Sequence, residues 1–183
     1  MCYFTPLSCD YPIFVLNYVS FMELISKLKH IIFILPIMLG VQCSSLKVYH
    51  WDRDDDFLRD EIFDNLCKKS NYGTNRDALN DYEKVVWVVL KLEMEVNNGG
   101  FDQFFFNTDD RWNDILVSSM KAIKAWNVAE LCEKALAIEA KHLDLDEQLE
   151  LLNECDNAFY DSTDNLTALS LQYAKENKKH FKY

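Results

Sequence analysis

The sequence predicts an all-α fold, a compact bundle of six or seven helices joined by short connections around one buried central helix. Three observations carry that prediction. All three prolines, Pro6, Pro12 and Pro36, lie in the first fifth of the 183 residues, and after Gly40 only Gly73, Gly99 and Gly100 follow. A β-rich domain spends glycine and proline on its tight turns, so their scarcity points to helices. Apolar residues recur at helical spacing, and three pairs of Asn or Asp with Glu three residues on mark helix starts. At 49% apolar residues the chain can bury a core, and its length suits one domain.

From Trp51 to Lys69 the residues Phe57, Leu58, Ile62, Phe63, Leu66 and Cys67 recur at helical spacing between acids, and Asn71 and Gly73 end the run. Asn80 with Glu83 opens a second helix, which runs to Asn97 or Asn98 and stops at Gly99. Its middle, VVWVVLKLEMEV, has the valine content of a strand, but the cap, the glycine stop and a length of about 18 residues decide for helix. It is apolar around most of its circumference, with Lys84, Lys91 and Glu95 on one narrow face, which predicts the buried centre of the bundle. FDQFFFN, residues 101–107, reads as a short helical turn that sends Phe101, Phe104 and Phe105 inward. A fourth helix follows from Asp110 or Asn113 to Trp126, and Asn127 with Glu130 opens a fifth, which reaches about His142. Asp144 with Glu147 opens a sixth, and a cap between Asp161 and Asp164 starts the last, carrying Leu166, Leu169, Leu171 and Tyr173.

Charge divides the chain. Lys and Arg number 19 against 30 Asp and Glu, a net −11 that argues against direct nucleic-acid binding, because phosphates need cationic contacts. Residues 1–43 hold only Lys27 and Lys29 against Asp10 and Glu23, so the whole deficit falls on an acidic helical domain, residues 44–183. Within the apolar first segment, residues 31–41 (IIFILPIMLGV) follow Lys27, Lys29 and His30 and precede Gln42, Cys43, Ser44 and Ser45, the layout of a secretory signal. Eleven residues make about 16 Å of helix, half a bilayer's hydrocarbon thickness, so a membrane span is disfavoured. Met22 begins a good signal n-region, MELISKLKH, and is the expected translation start. Cys43 stands where a lipoprotein-type cysteine would be lipidated, although Gln42 precedes it where a small residue is expected; cleavage after Cys43 or Ser45 is the alternative, and a buried N-terminal helix the other. Cys67, Cys132 and Cys155, on apolar helical faces, read as small buried hydrophobes with no metal-ligand spacing, so neither metal nor cofactor is expected.

Residues 93–107, EMEVNNGGFDQFFFN, closely resemble the signature of the DNA-mimic protein nineteen-like family, and residues 152–177, LNECDNAFYDSTDNLTALSLQYAKEN, resemble that family's tail. The likeness covers roughly residues 77–177. It implies an acidic, all-helical, homodimeric protein that occupies the DNA-binding surface of a helix-turn-helix repressor. Within the signature, Asn97, Asn98, Gly99 and Gly100 close a helix, with glycine free to take the left-handed conformation after it. Glu93 falls between Val86 and Val89 on the apolar surface, which predicts a buried carboxylate accepting from Gln103, Asn97 or amides of the 98–103 turn. Glu95 and Asn107 complete the motif.

Two acidic faces are candidates for an interaction surface: Glu147, Glu150 and Glu154, opposite Leu145, Leu149, Leu152 and Phe159; and Asp54, Asp60 and Asp64. Nothing supports catalysis: there is no glycine-rich phosphate loop, no nucleophile elbow and no His-Glu zinc helix. Two functions stay open, a protein-interaction module of DNA-mimic type directed at a basic partner, and an exported or lipid-anchored envelope protein with a different partner. Mass spectrometry of the native protein checks the start: no peptide from residues 1–21 is expected, and a Met1 peptide would overturn it.

Overall fold

The structure, a computed structural model, describes residues 49–182. Met22, the apolar run 31–41 and Cys43 lie outside them. Six α-helices, with no strand among the described residues, run in the order α1 (Asp55–Lys69), α2 (Asp81–Thr108), α3 (Asn113–Ala122), α4 (Trp126–Glu139), α5 (Leu145–Tyr160) and α6 (Leu166–Glu176). The all-α prediction holds, with α2 at the centre: α1, α3, α5 and α6 all pack on it, α6 also meets α1, and α4 closes against α3 and α5. Val86, Trp87, Val88, Val89, Leu90 and Leu92 are all buried, as a helix apolar all round must be.

Helix α2 opens where Asn80 and Glu83 predicted, with the reciprocal capping box formed. Glu83 is fully buried and also accepts from Lys69 Nζ at 2.7 Å, tying the end of α1 to the start of α2. Helix α2 continues as one element through residue 108 but breaks at Gly99 and Gly100, so the expected stop and the short helical turn after it become a kink. Phe101, Phe104 and Phe105 are buried as expected.

Helix α1 begins at Asp55 rather than Trp51, because Asp54 caps it by accepting from the amides of Asp56 and Phe57. Its end is a Schellman turn: Asn71 is left-handed (φ 48), with Tyr72 N donating to Cys67 O at 2.6 Å. Helix α3 stops at Ala122, four residues short of Trp126, for the same reason. Lys124 takes φ 66 and Ala125 N donates to Met120 O at 3.0 Å. A lysine in the glycine position gives no breaker signal to read.

Trp126 therefore starts α4, and Asn127 lies inside it instead of capping it. Asp164 caps that helix from a distance, accepting from Val128 N at 3.1 Å while Asn127 Nδ2 donates to its other oxygen at 3.2 Å. The last helix is then capped by Asn165, which accepts from Ala168 N. Asp144 caps α5 as expected, accepting from Glu147 N at 3.1 Å, but Leu145 is exposed rather than part of the apolar face. Cys132 and Cys155 are buried free thiols, Cys67 a half-buried one, and burial pushes all three thiols up. No helix of the described residues is long and apolar enough to cross a membrane.

The connection between α1 and α2 is held by aromatic stacking. Trp87 of α2 stacks on Trp112 with ring centroids 4.1 Å apart, and Trp112 Nε1 donates to Gly73 O at 3.3 Å. Arg76 lies over the Trp112 ring and makes two hydrogen bonds to Asp114, at 2.5 and 2.7 Å, holding that carboxyl below its ordinary range. Gly73 has φ +87, and a Cβ there would stand 2.5 Å from the Trp87 ring, which Trp112 prevents from yielding. Gly73→Ala is expected to cost about 2 kcal/mol or more, through the left-handed backbone and the overlap together, read as a lowered urea midpoint.

Candidate functional site

The signature residues 93–107 meet α5 at the kink of α2. Gly99 is extended (φ −166) and Gly100 left-handed (φ 82), so the helix releases backbone groups that need partners. Helix α5 supplies them from two residues one turn apart: Asp156 Oδ1 accepts from Phe101 N at 2.8 Å, and Tyr160 Oη donates to Val96 O at 2.7 Å. Gly100 needs its glycine for the left-handed backbone, and a Cβ there would also sit 2.2 Å from the Asp156 carboxylate that accepts from Phe101 N. Phe101 and Phe159 pack edge to face beside this contact, with centroids 6.1 Å apart.

Beneath the turn lies the motif's buried carboxylate, and it is Glu95 rather than Glu93. Glu95 is 3% exposed and accepts from Gln103 Nε2 at 2.6 Å and from Asn107 Nδ2 at 2.7 Å on one oxygen, and from Lys91 Nζ on the other. The position assigned to a narrow polar face is thus an enclosed ion pair, and the kink makes it so by folding Gln103 and Asn107 back over α2. Burial pushes the Glu95 carboxyl up, but the three donors and the Lys91 charge outweigh it and hold it below the ordinary 4.5. Glu93 is half-buried and accepts from Thr167 Oγ1 of α6 at 2.7 Å, with no cation in salt-bridge reach among the described residues. None of Gln103, Asn97 or the turn amides reaches it; Phe101 N goes to Asp156 instead.

Glu93 does line an open hollow of about 380 Å³ between α1 and α2, with Asn97, Met94 and Leu90 of α2, Arg59, Asp60 and Phe63 of α1, and Thr167. A second hollow, also about 380 Å³, shares Asp60, Phe63 and Met94 with it and extends over Cys67, Tyr72, Trp87 and Lys91. The carboxyls raised by burial are elsewhere: Glu139, raised further by Asp110 and Asp102, and Asp156, which the Phe101 amide draws down in part. Neither lines these hollows.

Of the acidic candidates, Glu147, Glu150 and Glu154 are all exposed on α5, where Glu154 pairs with Lys134 at 3.1 Å. Asp54 is spent on capping α1, Asp60 pairs with Arg59 at 2.7 Å and Asp64 with Lys68 at 2.5 Å. The two rows are not brought side by side as one paired face: α1 packs on α2 and α6, α5 on α2 and α4. Asp156, Tyr160 and Thr167 escaped the sequence reading because their partners lie 55 to 74 residues away in the chain. The only local hint was that Asp156 and Tyr160 share an i, i+4 face.

An acidic helical bundle with a glycine-broken central helix defines the class. The model of the family described as DMP19-like protein matches residues 77–177, and the chain belongs to that family. Comparison with curated proteins and with solved structures gives no match in either.

Glu95→Gln is expected to destabilise the fold by about 3 kcal/mol, because it leaves the Lys91 ammonium enclosed without its counter-charge, whereas Glu93→Gln is expected to cost less than 1 kcal/mol. Since the folded-state value of Glu95 lies below the unfolded one, its contribution is complete above about pH 4.5 and is lost as pH falls through the folded value. Urea melts of the wild type and Glu95→Gln between pH 7 and about pH 3 should converge as pH falls.

Proposed function

We propose that the domain is a non-enzymatic interaction module, acting as a homodimer, whose acidic helix faces occupy a basic, DNA-binding type of surface on a partner protein. The observation that carries this reading is the solvent-facing row on α5. Glu147 and Glu150 are exposed and have no ion-pair partner among the described residues, and residues 139–164 hold nine acids against Lys141. At 1.5 Å of rise per residue the row Glu147, Glu150 and Glu154 sets carboxylates about 4.5 and 6 Å apart along the axis, sparser than the roughly 3.4 Å of one duplex strand. Membership of the DMP19-like family supports the same reading.

A second reading rests on the first segment of the chain. The apolar run 31–41, flanked by Lys27 and Lys29 and followed by Cys43, favours export or lipid anchoring, with a partner in the cell envelope. A cytoplasmic repressor and an exported protein do not meet, so fractionation of native cells separates the two. The first reading expects the protein in the cytoplasm, bound to a basic partner that is released as salt rises and is held less tightly by Glu147→Gln/Glu150→Gln. Recovery in membrane or periplasm overturns it.

A further inference from the structure

We infer that the two hollows between α1 and α2 form one groove that seats an amphipathic, cationic helix of a partner protein, with two apolar anchors about one turn apart. The inference rests on the interaction reading above and names where that partner is gripped. The hollows, each about 380 Å³, share Asp60, Phe63 and Met94, and their other α2 lining residues are offset by about one helical turn, Leu90, Glu93 and Asn97 against Trp87 and Lys91, which suits anchors at i and i+3 or i+4. Their floor is apolar, with Leu90 on one side and Trp87 and Cys67 on the other. Two exposed large apolar side chains, Tyr72 at 71% and Met94 at 39%, stand at this groove.

Polar groups around the groove favour a cationic occupant. Asp60, Asp64 and Lys91 line the groove but are paired with Arg59, Lys68 and Glu95, whereas Glu93 accepts only from the Thr167 hydroxyl and is the lining charge left without a counter-ion among the described residues. Within the floor, Trp87 Nε1 is buried without a full hydrogen-bond partner, facing only the weakly accepting Cys67 thiol.

The test uses the full chain and three labelled helical peptides of about 14 residues, one with two leucines one turn apart among lysines, one with alanine for the leucines, one with glutamate for the lysines. Fluorescence polarisation at low salt and methyl NMR of Met94 are read together. The expected result is that the leucine-lysine peptide binds roughly tenfold tighter than either control and shifts the Met94 methyl, and that Met94→Lys or Tyr72→Ala, both at exposed side chains, removes the advantage. If the two lysine peptides bind equally and neither moves Met94, the groove is not the docking site although the charge-based reading survives. If no lysine peptide binds, that reading falls and the groove with it. Equal binding of the glutamate peptide overturns the cationic character of the occupant.

Discussion

A helix that turns in mid-course must find partners for the amides and carbonyls it releases, and the kink of α2 at Gly99 and Gly100 makes that demand at the centre of this bundle. Asp156 and Tyr160 answer it from α5, one taking the Phe101 amide, the other giving its hydroxyl to the Val96 carbonyl. The remaining geometry follows from this meeting. Gly100 takes the left-handed backbone beside the Asp156 carboxylate, Phe101 and Phe159 are brought edge to face, and the chain after the kink returns over Glu95 so that Gln103 and Asn107 enclose it. The signature is therefore first a device for bending a buried helix without leaving polar groups unpaired.

That device also explains how the two halves of the domain come to differ. The α5 side of α2 is sealed by hydrogen bonds and phenylalanine packing, whereas the α1 side leaves Met94, Phe63 and Tyr72 around open hollows. Glu93 and Glu95, two residues apart, fall on either side of this divide: Glu95 faces the folded-back segment and becomes structural, while Glu93 faces the α1 groove and has only a hydroxyl for company.

Much of the fold was legible locally. Asn80 with Glu83, the apolar circumference of residues 85–96 and the inward phenylalanines required nothing beyond helical periodicity and a cap, and each stands where it was expected. The misses have two causes. Lys124 ends α3 in a conformation usually left to glycine, in a local turn closed by Ala125 N donating to Met120 O, so no breaker residue marks it. Asp164 caps a helix to which it is not adjacent in sequence, and there the backbone is satisfied by a group whose nearness only packing creates. Likewise the burial of Glu95 in place of Glu93 turns on which side of α2 the post-kink segment covers, and a helical wheel of α2 alone has no access to that.

The sequence by itself determined the class, an acidic all-helical domain of a recognisable family, because periodicity, caps, glycine placement and charge are properties of short stretches of chain. Only the tertiary structure decided which carboxylate is enclosed, which acids are spent on caps and ion pairs, and which stay free on α5. The physical reason is that desolvation and hydrogen bonding depend on what lies within a few ångströms, and for Asp156, Tyr160 and Thr167 those neighbours come from the far side of the chain.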